Sequence, residues 1–426
     1  MSSTRRLPAT IGAALLSAFL LQGPAAAQDQ VTLRWLEWWE PEYGKEVMDT
    51  LTSRFKEQTG ITVERTSVPW DSMYDLLVAN AQAGTADFDV LGMEGCCFLT
   101  GIDKLGGIEP LGSYLERDKE FAQGLTSLTP IEWRGETLML NWYIMPYSYV
   151  YNVDLFQKAG VQPPGSWGEV QTVTKAINDS NAGAQGLGAF FNESDLIYPV
   201  YYLFGSRLAQ LGGSFFDESG KAVFNSEEGV AALTWWKQLY DSGVLAPGSL
   251  GITKSQLRED FAAGKVAAMW DGPFAGSIAK QISPDIKVAY APAWRDKAGG
   301  YQWAGSGLAI SANSEHKDAA WQFLKFLLSD ETTAYMTKTV GIPFASKSAV
   351  ASLGQSQDPI LKEIPAMLNN DPEHNLFLAP TPDFEQFHRA FIEAFQQVLA
   401  DNRDPKEALD EVAAFWNEQL DQFRQQ

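Results

Sequence analysis

Apolar residues fall on near-alternate positions over residues 31–38, from Val31 through Leu33 and Trp35, which predicts a strand with one buried face. The period then lengthens: Val47, Met48, Leu51 and Phe55 recur at helical spacing, and Gly60 supplies the stop. Residues 61–68 alternate again, residues 71–83 read as a second helix stopped at Gly84, and residues 88–93 form a short buried strand. This strand–helix rhythm predicts a parallel sheet with helices on both faces. Its strand-end loops are Trp38-Trp39-Glu40, Pro69-Trp70-Asp71 and the run from Met93 to Cys97. All three open on one edge of the domain, where open α/β sheets bind ligands.

The rhythm restarts after Pro146. Residues 147–152 read as a strand, 167–177 as a helix, and 186–191 as a strand leading into Asn192. A helix over 226–240 has apolar Val230, Leu233, Trp236 and Leu239, with Asn225 as its expected cap and Gly243 as its stop. Residues 261–274 are the most informative stretch: Ala262, Ala263 and Gly264 end a helix, and the apolar run from Val266 to Met269 delivers Trp270 and Asp271 at a strand's carboxyl end. Residues 287–292 form the next strand. Residues 303–311 are glycine-rich and then strand-like, ahead of a helix carrying Trp321, Leu324, Phe326, Leu327 and Leu328.

The amino terminus has a different pattern. Arg5 and Arg6, an apolar stretch over 11–21 and the small residues Ala25, Ala26 and Ala27 read as a cleaved export signal, too short to span a membrane. Removing these 27 of 426 residues, two arginines among them, takes the formal charge from −21 to −23. That charge disfavours nucleic acid or an anionic membrane surface as partner. Fourteen tryptophans exceed what a core alone suggests, and flat aromatic faces suit the C–H faces of sugar rings. The only two cysteines are adjacent, Cys96 and Cys97, so they cannot staple distant segments. They either close an eight-membered vicinal disulfide ring or stay as two thiols, one of them buried as a small apolar group.

Five stretches taken in order carry a resemblance. They are residues 261–274, the glycine-rich residues 303–311, the helix over 319–327, the turn Gly341-Ile342-Pro343 and the helix that begins at Pro405. Together they resemble the family 1 extracellular solute-binding proteins of the maltose-binding-protein type, which capture sugars for ABC importers. The resemblance implies an α/β fold of two lobes, each a mainly parallel sheet flanked by helices, with several interlobe crossovers. It places the first lobe at 28–145 plus about 291–335 and the second at 146–290 plus about 336–426. The crossings then lie near Met145-Pro146, near 289–292 and between Leu328 and Gly341. It implies a monomer that delivers its ligand to the membrane subunits of a transporter, with no cofactor.

Little in the chain points to catalysis. The three histidines are scattered, and Gly305-Ser306-Gly307 lacks the spacing of a nucleophile elbow. Glu40, Glu94 and Asp271 could serve a secreted glycoside hydrolase, the alternative reading. In a binding site Trp38, Trp39, Trp70, Trp270 and Trp303 would stack on the ligand, with core burial as the competing role. Glu40, Asp71, Glu94 and Asp271 would accept from hydroxyls, although Asp71 also suits a helix cap. Tyr147, Ser306, the Gly305 backbone, Asn192 and the Cys96–Cys97 face complete the expected lining. Basic residues are scarce on these loops, which favours a neutral carbohydrate or polyol over an anion.

Overall fold

The computed structural model describes Met1 and residues 31–180, 182–378 and 380–425. The expected export signal lies outside the described residues apart from Met1. In chain order the strands are β1 (Thr32–Glu37), β2 (Thr62–Ser67), β3 (Val90–Glu94), β4 (Pro130–Trp133), β5 (Glu136–Asn141) and β6 (Met145–Asn152). They continue with β7 (Ala268–Asp271), β8 (Val288–Tyr290), β9 (Gln302–Ala304), β10 (Ser306–Ile310) and β11 (Leu376–Phe377).

Two sheets divide the chain into two lobes. The first has the order β2-β1-β3-β10-β5-β4, with β1 parallel to β2 and β3 and β10 antiparallel to β3 and β5. The helix Lys45–Thr59 buries Met48, Leu51 and Phe55 against it and ends at Gly60, whose φ of 77° suits glycine. The second sheet has the order β11-β9-β6-β7, with β8 also on β6. Because β6 enters from the other lobe, it runs antiparallel to β7, β8 and β9. Residues 186–191 contribute one isolated parallel bridge, Leu187 with Leu245, instead of a full strand. The cap of the helix Glu227–Asp241 is Ser226, one residue later than expected, because the Asn225 side chain is turned to Asp410 at 2.7 Å.

The chain passes between the lobes at residues 142–144, at Gly305 and near Pro343. The second passage is later than the expected 289–292, because β9 still pairs with β6 in the second sheet while β10 pairs with β3 in the first. Gly305 carries this passage because a Cβ there would meet the Tyr143 carbonyl oxygen at 2.1 Å. The passages run side by side: Ile144 N–H donates to Pro343 O at 3.0 Å and Ala345 N–H to Trp142 O at 2.9 Å. Each lobe has its own aromatic centre, Trp35, Trp39, Trp142 and Phe323 in the first and Trp167, Trp236 and Trp270 in the second. Among the described residues, no helix is long and apolar enough to cross a membrane.

Candidate functional site

The first lobe presents a hydrogen-bonded array at the end of β3. Pairing of β3 with β10 sets Ser306 opposite Glu94, and the Ser306 hydroxyl donates to Glu94 Oε2 at 2.6 Å. The Tyr143 hydroxyl donates to Ser306 Oγ at 2.8 Å, and the Trp70 indole N–H reaches Glu94 Oε2 at 3.4 Å. Desolvation outweighs these donors and pushes the Glu94 carboxyl up to about 7, with Glu42 adding to the rise. Trp70 is 40% exposed and packs on Phe98 at 5.2 Å, and Tyr74 stacks on the same ring at 5.7 Å. Glu42 is exposed, yet desolvation by the surrounding protein, with the nearby Glu37 adding to it, pushes its carboxyl up to about 7 as well. After Gly95 the chain turns through the Cys96–Cys97 disulfide, whose Cα atoms are 3.8 Å apart. Cys96 is buried and Cys97 half-buried.

The second lobe faces this array with tyrosines and two ion pairs. Tyr147 on β6 stacks on Tyr202 with ring centres 3.2 Å apart. Tyr202 belongs to the helical segment Tyr198–Gly205, which is wound as a π-helix, a form frequent at functional sites. Asp195 accepts from the backbone N–H groups of Ile197 and Tyr198 at 2.8 and 2.9 Å and pairs with Lys254. Asp271 is buried and receives both arms of Arg258, each at 2.8 Å. Burial first, then the negative charges of Asp195, Glu94 and Asp271, hold the Tyr147 phenol well above its ordinary value. Glu94 belongs to one lobe and the two aspartates to the other, so Tyr147 lies where the two sides converge.

The structure separates the expected residues into two groups. Trp70, Glu94, Tyr147 and Ser306 stand at this convergence. Trp38 and Trp39 instead pack on each other, tilted, at 4.4 Å inside the first lobe, and Trp303 is fully buried in β9. Trp270 is 1% exposed and lies parallel to Trp167 at 4.9 Å. Successive strand residues point to opposite faces, so a cleft-side Asp271 sends the adjacent Trp270 into the core. Glu40 is engaged by Arg65 at 2.9 Å, and the Asn192 amide donates to the Leu250 and Ile252 carbonyls. Asp271 is already satisfied by Arg258, and the side chain of Asp71 lies outside the described residues. Cys96 is covered, and Gly305 serves the interlobe passage.

Several residues at the convergence were not anticipated from sequence: Glu42, Tyr43, Tyr143, Asp195, Tyr202 and Arg258. Asp195 follows Asn192 closely enough to have been a signal, whereas Arg258 sits mid-helix in Lys254–Ala262 with no loop to mark it. Basic groups are therefore present, but Arg258 and Lys254 are each paired with an aspartate, and Glu94 and Glu42 form no ion pair among the described residues. Arg389 lies elsewhere, engaged by Glu193 and Glu385. Among the described residues, no cluster of three or more His, Cys, Asp or Glu is placed to hold a metal.

The arrangement has known relatives. Residues 38–334 match the family described as bacterial extracellular solute-binding protein. A binding protein of Brucella abortus (strain 2308) is 27% identical over 365 residues, covering 84% of this chain and 85% of the relative. The arabinooligosaccharide-binding protein of Bacillus subtilis (strain 168) is 25% identical over 282 residues, or 62% of this chain and 61% of that one. An ABC transporter solute-binding protein from Thermotoga lettingae, solved with alpha-D-tagatose bound, is similar at a TM-score of 0.73 and 24% identity, covering 92% of this chain and all 100% of the other. The cyclic alpha-maltosyl-1,6-maltose binding protein of Arthrobacter globiformis reaches a TM-score of 0.78 at 20% identity, covering 92% and 99%. Two α/β lobes joined by three passages, with carboxylates and aromatic rings converging between them, agree with that match, and the chain belongs to the bacterial extracellular solute-binding proteins.

Proposed function

We propose that this protein captures a neutral carbohydrate or polyol between its lobes, closes on it by bending at the three passages, and delivers it from the periplasm to the membrane subunits of an ABC importer. The array Tyr143–Ser306–Glu94 beside the half-open face of Trp70 carries the reading. A carboxylate held by neutral donors accepts readily from ligand hydroxyls, and an indole face covers the apolar side of a sugar ring. From the other lobe Tyr147, Tyr202 and Asp195 supply further polar groups, with the charges of Arg258 and Lys254 already neutralised. Binding of sugars by family relatives supports this ligand class. A thermal-shift screen against sugars and polyols tests it: a ligand at a hundred times its dissociation constant stabilises by about 2.7 kcal/mol. A panel in which only acidic or peptidic solutes raise the midpoint would refute the ligand class. The role is binding without turnover, so incubation with glycosides should release no product.

A further inference from the structure

The disulfide ring is also a contact between the lobes. Cys96 and Cys97 follow β3 of the first sheet, whereas Thr381 lies between β11 of the second sheet and the helix Phe384–Ala400. Thr381 is 1% exposed, and its hydroxyl donates to the Cys96 carbonyl oxygen at 2.8 Å. In return, its own carbonyl oxygen accepts from the Thr100 hydroxyl at 2.6 Å. These two buried bonds tie the end of the second lobe's strand to the turn that carries the disulfide.

The identity of the acceptor matters. The Cys96 carbonyl belongs to the peptide joining the two cysteines, so it is a member of the eight-membered ring itself. Ring closure removes torsional freedom on both sides of that peptide and fixes where its oxygen points. Opening the ring restores that freedom, and the oxygen is no longer held toward Thr381. On the opposite side Thr381 is flanked by Pro380 and Pro382, whose rings fix φ and which carry no N–H. A stiff strut therefore meets a stiff acceptor.

We infer that Thr381 is a positioning residue for lobe closure, seated on the ring carbonyl, and that reduction of Cys96–Cys97 releases the seat. The inference rests on capture by closure as proposed above. Reduction needs a dithiol. Its thiolate attacks Sγ of Cys97, the less buried of the two residues, breaking the Cys96–Cys97 bond and forming a mixed disulfide. Cys96 leaves as a thiolate and takes up a proton. The second thiol of the reductant then displaces Cys97, giving two protein thiols and one oxidised reductant, a two-electron exchange.

Full-length exported protein, equilibrated in dithiothreitol redox buffers and read by alkylation and intact mass, tests the contact. Thr381→Val removes the hydroxyl at nearly constant shape and should make the ring about five- to tenfold easier to reduce. That corresponds to a midpoint roughly 20–30 mV higher, at about 30 mV per tenfold for two electrons. Thr381→Ser keeps the donor and should restore the wild-type midpoint. A midpoint unchanged in Thr381→Val overturns the inference, and so does failure of Thr381→Ser to restore it. A second arm needs no variant: wild-type affinity for the sugar or polyol found by thermal screening should fall at least threefold on reduction, and unchanged affinity overturns the coupling. If no sugar or polyol binds oxidised wild type, the ligand reading fails, while the redox midpoints still decide the Thr381 contact.

Discussion

Replacing Glu94 by Gln should weaken ligand binding and, at alkaline pH, strengthen the empty protein. Glu94 accepts from Ser306 at 2.6 Å and from Trp70 at 3.4 Å, both at Oε2. Gln keeps the shape but loses the charge, and each charge-assisted bond to a ligand hydroxyl contributes about 1.5–3 kcal/mol. Loss of one such bond lowers affinity by roughly 10- to 150-fold at pH 8. The carboxyl is pushed up from 4.5 to about 7 in the folded protein, chiefly by desolvation. Between those values the folded state holds a proton that the unfolded chain has released. This group's contribution to stability is therefore fully present below pH 4.5 and is lost as pH rises through about 7. Gln carries no such proton, so the Tm difference between Glu94→Gln and wild type should become more positive from pH 5 to pH 8. Glu42 titrates in the same window and its charge adds to the Glu94 rise, so removing the Glu94 charge also eases ionisation of Glu42 and moves the difference in the same direction. Calorimetric titration and thermal melts of both proteins at pH 5 and pH 8 check both signs. An affinity loss equal at the two pH values, or a Tm difference that becomes more negative toward pH 8, would refute this reasoning and leave Glu94 as a structural acceptor.

Other substitutions separate site from scaffold. Trp70→Ala should cost at least tenfold in affinity, about 1.4 kcal/mol, with little change in Tm, because the ring is 40% exposed; calorimetry and melting on one sample check it. Trp270→Ala should instead destabilise the fold by about 3–5 kcal/mol in denaturant titration, because it empties the stack on Trp167. Gly305→Ala should lower stability and impair closure together, since the added Cβ would lie 2.1 Å from the Tyr143 carbonyl oxygen; wild-type melting and ligand response in that variant would show the passage to be slack.

Strands β1–β3 and β6–β8 and the helices Lys45–Thr59 and Glu227–Asp241 were legible because their signals are local, whereas β4, β5 and the helix Phe384–Ala400 were not anticipated. The helix Lys45–Thr59 carries its apolar stripe and glycine stop within fifteen residues, and β1 carries its own alternation. What local pattern cannot show is which face of a strand end looks into the cleft. Trp270 and Asp271 are neighbours in sequence and opposites in space, and of the two roles open to the tryptophan, ligand platform or core, the structure gives core. Residues 303–311 read as one element, yet Gly305 divides them between two sheets, a fact fixed by partners at β3 and β6 far away in sequence. The Tyr143–Ser306–Glu94 array joins three distant segments, and only Glu94 and Ser306 had a local mark. Thr381, which bonds to Cys96 across 285 positions, had none.

Capture between closing lobes is the central claim, and X-ray scattering tests it most directly. With the ligand found by thermal screening bound at saturation, the radius of gyration should fall relative to the ligand-free protein, as capture by closure at the passages near 142–144, Gly305 and Pro343 requires. An identical radius in both states, with binding confirmed by calorimetry on the same samples, would contradict the account.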